Sequence, residues 1–268
     1  ITQLRGLCLG EPKRVAAFQQ DLCESDFNRH CIPPFYRNRI VNVKKFPRTK
    51  VRIRKKQENK KEEILKVSRG FFIEQGYEKT SMRQIAAAAD VSLGLVAYHF
   101  KTKRDIALEI VQRMYHRFAA FAKMYVNRHR NPILYSGLLV NLNYMVFSSE
   151  KYEAFYRDIL RNDILLDVIA QSGVETYMSI RDNYRPDLSD EEAEKMGWYG
   201  NFISVSMERT LVLYDESLEM MEGSIPDVIF KSYMGLWRFP DVDRIMEEVC
   251  TESRELAERI LGEHPEIY

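Results

Sequence analysis

Polar and basic side chains at positions 81–103 have the types and the spacing that suit contact with phosphate groups and with the edges of bases. Ser81, Arg83, Ser92 and Lys103 each stand at or next to the start of a helical pattern. Hydroxyl and N–H groups at a helix N-terminus donate hydrogen bonds to phosphate, and arginine makes a bidentate contact with guanine. The chemistry that this stretch offers is therefore non-covalent recognition of a nucleic acid.

Two short helices are predicted to hold these side chains. Ser81 followed by Gln84 is a capping box, which predicts a helix over residues 82–89. After a two-residue turn, Ser92 is placed to cap a second helix over residues 93–100. Two short helices across such a turn predict a helix-turn-helix, whose second helix lies in the major groove of DNA.

Longer helices are predicted on both sides of this motif. Apolar residues at helical spacing predict a first helix over about residues 58–75, which Gly76 ends because glycine accepts the left-handed C-terminal conformation. Thr102 and Asp105 form a second capping-box pattern, which starts a helix from Lys103 to about residue 127. That helix is long enough to leave the motif and enter a second domain.

The residues of this region resemble the DNA-binding head of the tetracycline-repressor (TetR) family of bacterial regulators. The matching residues are the helical stretch 64–72, Gly76-Tyr77, Thr80-Ser81-Met82-Arg83-Gln84-Ile85-Ala86, Val91-Ser92, Gly94-Leu95-Val96, Tyr98-His99-Phe100 and Lys103. The chain beyond the motif is similar to the family only in length and helicity.

The resemblance implies a role for each of nine residues on DNA. Those expected to hold phosphates are Ser81, Ser92, Tyr98, His99 and Lys103, and those expected to face base edges are Arg83, Leu93, Gly94 and Leu95. Two alternatives remain at this point. Arg83 fits an ordinary solvated arginine, and His99 fits a core or capping histidine.

Four residues depart from the family pattern. Leu93 and Leu95 replace polar residues that are frequent there, Ala97 replaces an aromatic residue, and Asp90 stands where the turn usually has glycine. Leucine contacts the methyl group of thymine rather than a polar base edge, so we expect weaker direct readout. The departures leave the operator sequence undetermined.

Charge is distributed very unevenly along the chain, although its formal net charge is only +1. Residues 44–61 hold ten Lys or Arg and one acid, whereas residues 186–268 hold twenty acids and seven bases. This asymmetry suits binding of a polyanion by the N-terminal part of the chain. Salt-dependent or minor-groove contacts are expected from Arg52, Arg54, Lys55 and Lys56. A solvated basic arm without a partner is the alternative.

These patterns predict an all-α chain with three parts. Residues 1–56 form a poorly ordered extension with a basic arm, residues 57–103 the helix-turn-helix domain, and residues 104–268 a helical bundle for ligand binding and dimerisation. The bundle helices are expected near residues 133–148, 151–171, 174–184, 189–221, 226–237 and 241–261.

Aromatic residues are dense in the predicted bundle. Any one of them is more typical of a core, but together with Asn and Tyr side chains they suit an apolar cavity with a few polar anchors. The predicted lining of an effector pocket is Phe121, Tyr125, Tyr144, Phe147, Phe155, Tyr177 and Trp198.

A homodimer interface is expected on the late helices, as the family resemblance implies. Its predicted residues are Tyr199, Phe202, Ile203, Val205, Ser206, Thr210, Leu213 and Tyr214, with residues 225–237 as a second contributor. A two-fold dimer presents two recognition helices about 34–36 Å apart, which predicts a near-palindromic operator.

Other classes of protein find little support in the sequence. No apolar run reaches the roughly 20 residues that cross a bilayer, so we expect a cytoplasmic protein without membrane contact. Cys8, Cys23, Cys31 and Cys250 do not make a disulfide framework, and they lack the paired spacing of a metal site. We therefore expect reduced thiols and no metal.

The sequence contains none of the common catalytic or nucleotide-binding motifs, so we expect no enzyme activity and no cofactor. The expected partners are double-stranded DNA, a small-molecule effector and a second copy of the chain. The favoured function is a repressor that a small, largely apolar ligand releases from its operator. A helical small-molecule-binding protein or enzyme with a vestigial helix-turn-helix is the alternative, and a helix-turn-helix used only for protein contact is a third possibility.

Overall fold

The structure is a computed structural model that describes residues 50–170, 173–214 and 224–268, without the side chains of residues 50–58. The predictions for residues 1–49, including Cys8, Cys23 and Cys31, lie outside these ranges. Cys250 is buried, with a free thiol.

The described residues form eleven α-helices, with two short 3-10 turns near the C-terminus, and contain no strand, which confirms the all-α prediction. The helices are α1 (Lys50–Glu74), α2 (Met82–Ala88), α3 (Leu93–His99), α4 (Lys103–Tyr125), α5 (Pro132–Phe147), α6 (Glu153–Arg161), α7 (Ile164–Ile169), α8 (Val174–Tyr184), α9 (Asp190–Leu213), α10 (Ile225–Met234) and α11 (Val242–Glu263).

Helix α1 starts earlier than predicted, at Lys50 rather than near residue 58. The backbone of Arg52, Arg54, Lys55 and Lys56 is therefore helical. Lysine, arginine and glutamine have high helix propensity, and no glycine or proline interrupts residues 50–58. The basic arm thus includes the first two turns of α1.

The helix predicted over residues 151–171 is two helices, α6 and α7. Asp163 separates them with a left-handed backbone of φ 53°, a conformation that a continuing α-helix does not contain. Helix α9 ends at Leu213, and the rest of the predicted 189–221 helix falls largely outside the described residues.

Two buried clusters hold the described residues together. We call residues 57–103 the head and residues 104–268 the body. The larger cluster begins with Phe72, Ile85 and Val96 in the head and continues along α4 to Phe118 and Phe147. The smaller cluster joins α8, α10 and α11 and includes Tyr177, Phe230 and Trp237. Helix α9 packs against α6, α7, α8 and α10, which places its inward side chains deep in the body. In the described part of the chain, no helix is both long and apolar enough to cross a membrane.

Candidate nucleic-acid interface and its connection to the helical body

The caps predicted for the two short helices are present. The Ser81 hydroxyl accepts a hydrogen bond from the Gln84 N–H at 3.3 Å, and the Gln84 side-chain oxygen accepts from the Ser81 N–H at 2.8 Å. The Ser92 hydroxyl accepts from the Leu95 N–H at 3.2 Å. The start of each helix is therefore fixed by its own side chains, as the sequence predicts.

The turn between the two helices is strained at Asp90, whose φ is 49°. Two hydrogen bonds close the turn, from the Asp90 N–H to the Ala87 carbonyl at 3.3 Å and from the Val91 N–H to the Ala86 carbonyl at 3.0 Å. Aspartate tolerates a left-handed backbone better than most residues but less well than glycine. The departure from the usual glycine therefore has a measurable cost in stability.

Most of the residues predicted to face DNA are exposed. Ser81, Arg83, Ser92 and Gly94 are exposed, and Leu93 and Tyr98 keep 43% and 69% of their accessible surface. Ile85, Ala86, Val96 and Phe100 turn inward to the core. Among the described residues nothing forms a hydrogen bond or ion pair with Arg83, so its guanidinium is available to a ligand of opposite charge.

His99 is less available than the prediction requires. Its Nε2 atom is buried without a hydrogen-bond partner. Burial, and to a smaller extent the positive charge of Lys61, lowers the pKa of His99 below its ordinary value. The ring is therefore neutral at physiological pH and offers phosphate a hydrogen bond without a charge.

Lys103 already has partners inside the head. Its Nζ donates to the carbonyls of Tyr77 at 2.7 Å and Glu78 at 3.2 Å, and it lies 4.2 Å from the centroid of the Tyr77 ring. The lysine thus ties the start of α4 to the turn after α1. A phosphate contact from Lys103 has to share the ammonium group with these carbonyls.

The same turn touches α6, in the helical body. The Glu78 N–H donates to the Asp158 carboxylate at 3.3 Å, and the Asn162 side chain donates to the Glu78 carboxylate at 2.6 Å. Gly76, with φ 90°, lies so close to Asp158 that a Cβ there would be 3.2 Å from its oxygen. The left-handed glycine predicted from the sequence therefore also permits the close approach of the two parts.

Two arginines complete this junction. Arg69 of α1 donates to the Tyr152 hydroxyl just before α6. Arg104 pairs with Asp167 of α7 at 2.6 Å and donates to the Asn162 and Asp163 carbonyls at 3.4 and 3.3 Å. Sequence reasoning missed these contacts, because nothing local to the sequence brings residues so far apart together.

The seven aromatic residues predicted to line a pocket have different neighbours in the structure. Phe147 lies in the larger core with Tyr115, Phe118 and Tyr156, whereas Phe155 stacks on Phe72 of the head. The other contacts are dispersed: Phe121 and Tyr125 lie against His264, Tyr177 against Trp237, and Trp198 beside Phe202, while Tyr144 is half-buried on α5.

A buried acid, Glu208 of α9, lies close to Phe147. One of its carboxylate oxygens accepts from the Asn143 side chain at 3.1 Å and from the Tyr156 hydroxyl. Burial raises the pKa of Glu208 to about 7, against the opposing effect of these two hydrogen bonds. Sequence reasoning missed Glu208. In the structure it follows the buried Ser204 by four residues, so both side chains lie on the inner face of α9.

Three aromatic side chains are exposed on α9 and at its C-terminal end. Tyr199, Phe202 and Tyr214 keep 61%, 44% and 69% of their accessible surface. Helix α10, predicted as a second contributor to a dimer interface, is instead largely internal, with Phe230 and Met234 almost fully buried. The α9 face is therefore the stronger candidate for contact with a second copy.

Comparison with known proteins finds relatives of the head. Residues 64–110 match the family described as bacterial regulatory proteins, tetR family. The chain is 42% identical over 53 residues to the HTH-type transcriptional regulator QacR of Staphylococcus aureus (strain Mu50 / ATCC 700699), which is 20% of this chain and 28% of QacR. It is 24% identical over 143 residues to the probable HTH-type transcriptional regulator YttP of Bacillus subtilis (strain 168), which is 52% of this chain and 67% of YttP.

Among solved structures, RolR in complex with the ligand resorcinol has the same fold. The TM-score is 0.53 at 11% sequence identity, and the alignment covers 77% of this chain and 96% of RolR. Head and body together define an all-α protein with an N-terminal helix-turn-helix. The head is similar to those of TetR-family regulators over residues 64–110, and the resemblance predicted from the sequence is confirmed.

Proposed function

We propose that this chain is a ligand-responsive, homodimeric repressor of transcription that acts in the cytoplasm on double-stranded DNA. The observation that carries the proposal is the exposed face of α2 and α3, where Arg83 has no partner among the described residues and the backbone of Gly94 is open to solvent. A face of this kind, on a TetR-type head, fits the major groove.

Sequence readout on this face combines one charged contact with apolar ones. Arg83 supplies a bidentate contact to guanine, which is worth about 1–3 kcal/mol of discrimination. Leu93 and the half-buried Leu95 contact thymine methyl groups. Ser81, Ser92, Tyr98, His99 and Lys103 hold the phosphates, His99 as a neutral donor, and the basic first turns of α1 add a salt-dependent attraction.

Dimerisation through the exposed face of α9 sets the form of the operator. Tyr199, Phe202 and Tyr214 supply the apolar centre of the interface. A two-fold axis across α9 presents two recognition helices to successive major grooves, about 34–36 Å apart, so the operator is near-palindromic.

Helix α6 contacts both the core and the head, and it couples ligand binding to release of the operator DNA. Tyr156 of α6 reaches Glu208 in the core, while Asp158 of the same helix holds the turn at Glu78. A small, largely apolar ligand that displaces Tyr156 therefore also displaces the turn. The coupling needed for full switching is about 5.5 kcal/mol, whereas typical coupling is about 1–3 kcal/mol, so we expect a partial response.

The test is footprinting of the full chain on the DNA that flanks its own gene, at two salt concentrations. A protected near-palindrome with salt-sensitive affinity supports the proposal. Lys103→Ala is expected to weaken binding to all DNA similarly and to lower the salt slope by about one. Lys123→Ala, which changes an exposed lysine in the last turn of α4, is the control and leaves both unchanged. No protection by the folded dimer would contradict the proposal.

A further inference from the structure

Glu208 is a buried acid without a cationic partner. Glu208 is only 4% exposed. No Lys, Arg or His among the described residues forms an ion pair with its carboxylate. A buried carboxylate is costly unless a positive charge or several hydrogen bonds compensate it. Here two donors, Asn143 and Tyr156, share a single carboxylate oxygen, which leaves the charge incompletely compensated.

Two more buried polar atoms beside Glu208 have no partner. They are the side-chain oxygen of Asn143 and the hydroxyl of Tyr115. Asn143 turns its amide N–H to the carboxylate, so its unpartnered oxygen is an acceptor. Tyr115 lies near enough to Glu208 for the negative charge to contribute to the raised pKa of the phenol. A buried polar group needs a partner, and a ligand with a hydrogen-bond donor would supply one to both atoms.

Aromatic rings surround the same place. The centroids of Phe147 and Tyr156 are 5.5 Å apart in a stacked pair, and Tyr115 and Phe118 lie 6.4 and 6.1 Å from Phe147. Aromatic faces attract cations and repel anions, and they bury apolar groups. The cluster thus combines acceptors, a negative charge and an apolar wall.

We propose that Tyr115, Asn143, Tyr156 and Glu208 form the binding site for a protonated amine with an apolar body. The ammonium group pairs with Glu208 and donates to the unpartnered oxygens of Asn143 and Tyr115, and the aromatic rings enclose the apolar body. An anion is repelled by the negative charge of Glu208. A neutral apolar molecule donates no hydrogen bond to Glu208, Asn143 or Tyr115. The inference deepens the proposed function, on which it rests in taking this amine as the effector.

The test compares three probes that share one ring system and differ in charge. They are 1-naphthylmethylammonium, neutral 1-naphthalenemethanol and anionic 1-naphthoate, titrated into the full chain by calorimetry at roughly pH 8, where Glu208 is ionised and the amine is still charged. We expect the cation to bind at least about tenfold more tightly than the alcohol, and the naphthoate not to bind.

Three variants assign the effect to this cluster. Glu208→Gln is close in shape and keeps a hydrogen-bond acceptor, and it is expected to abolish the preference for the cation. Glu258→Gln, at an exposed position of α11, is the matched control and keeps the preference. Tyr115→Phe removes a hydroxyl without a partner, so it is expected to leave the thermal midpoint unchanged or higher while it weakens cation binding severalfold.

Weak or absent binding of the cation, or equal binding by Glu208→Gln, would overturn the inference. DNA binding is measured separately, on the same preparations without any probe. Specific DNA binding together with no cation preference removes only this inference. Cation binding without DNA binding removes the proposed function and leaves the amine site in place.

Discussion

The carboxylate of Asp158, in α6 of the helical body, accepts a hydrogen bond from the backbone N–H of Glu78 at 3.3 Å, in the turn that follows the first helix of the head. Asp158 is only 8% exposed. The bond is part-buried, and it joins the head to the helix that also reaches Glu208.

Asp158→Ala removes this acceptor. We expect the free energy of unfolding to fall by about 1–2 kcal/mol, because the part-buried Glu78 N–H loses its partner and Arg161 loses its ion pair. Urea denaturation measures the change. Asp182→Ala, which removes an exposed carboxylate paired with Arg181, is the control and is expected to change stability by less than about 1 kcal/mol. Equal losses of unfolding free energy in the two variants would show that the Asp158 junction stabilises the fold no more than a surface ion pair does.

Asp90→Gly relieves the strain of a left-handed backbone in the turn of the helix-turn-helix. We expect stability to rise by about 1 kcal/mol, offset in part by the greater flexibility of glycine in the unfolded chain. Asp90→Ala is the control, since alanine adds no such relief and is expected to be neutral or destabilising. Thermal unfolding of both variants measures the difference, and a glycine variant no more stable than the alanine variant contradicts the interpretation.

Glu208 makes stability depend on pH. Its pKa is raised from 4.5 in the unfolded chain to about 7 in the folded one, so the folded state holds a proton that the unfolded state releases. The stability from this proton is present in full below the unfolded pKa and is lost as the pH rises through about 7, by about 3 kcal/mol in all at about 1.4 kcal/mol per pKa unit. Tyr115 and Tyr156, whose pKa values are raised by burial, stay protonated over this range.

Glu208→Gln is expected to flatten this dependence and to be more stable than the parent chain above about pH 7. Urea denaturation at a series of pH values from about 5 to 8 measures the free energy of unfolding of both. Curves that run parallel for the parent chain and the variant would show that Glu208 is ionised in the folded state throughout.

Phe202→Glu places a charge at the centre of the exposed face of α9. We expect it to convert the dimer to a monomer, because a carboxylate buried in an apolar interface has no partner. Sedimentation velocity measures the mass. Met124→Glu changes another exposed apolar residue, 57% accessible and on α4, and is expected to leave the dimer intact. A dimer that survives Phe202→Glu places the interface elsewhere.

Local sequence patterns predict the head well, because its elements are fixed by neighbours in the sequence. Ser81 with Gln84, Thr102 with Asp105, and Gly76 each act within a few residues, and each has the predicted role. The body is harder to predict in detail. Asp163 breaks a helix that hydrophobic periodicity makes continuous, and a left-handed aspartate carries no strong local signal.

Aromatic content predicts buried rings without predicting which rings meet, so the predicted pocket lining stays a prediction. Phe147 and Phe155 are eight positions apart and both fully buried, yet one faces Tyr156 and the other faces Phe72. Glu208 escaped attention because a charged residue on a helix is usually solvated. Its hydrogen-bond donors, Asn143 and Tyr156, belong to two other helices.

The most direct test of the central claim is selection of binding sites by the full chain from a pool of random DNA. We predict enrichment of a two-fold symmetric site whose half-sites are about 10 base pairs apart or a multiple of that spacing. Arg83→Ala is predicted to bind that site about 1–3 kcal/mol more weakly and to lose its preference at one position of each half-site. A folded chain that enriches no sequence, or an Arg83→Ala variant with unchanged affinity and preference, would contradict recognition of DNA by this face.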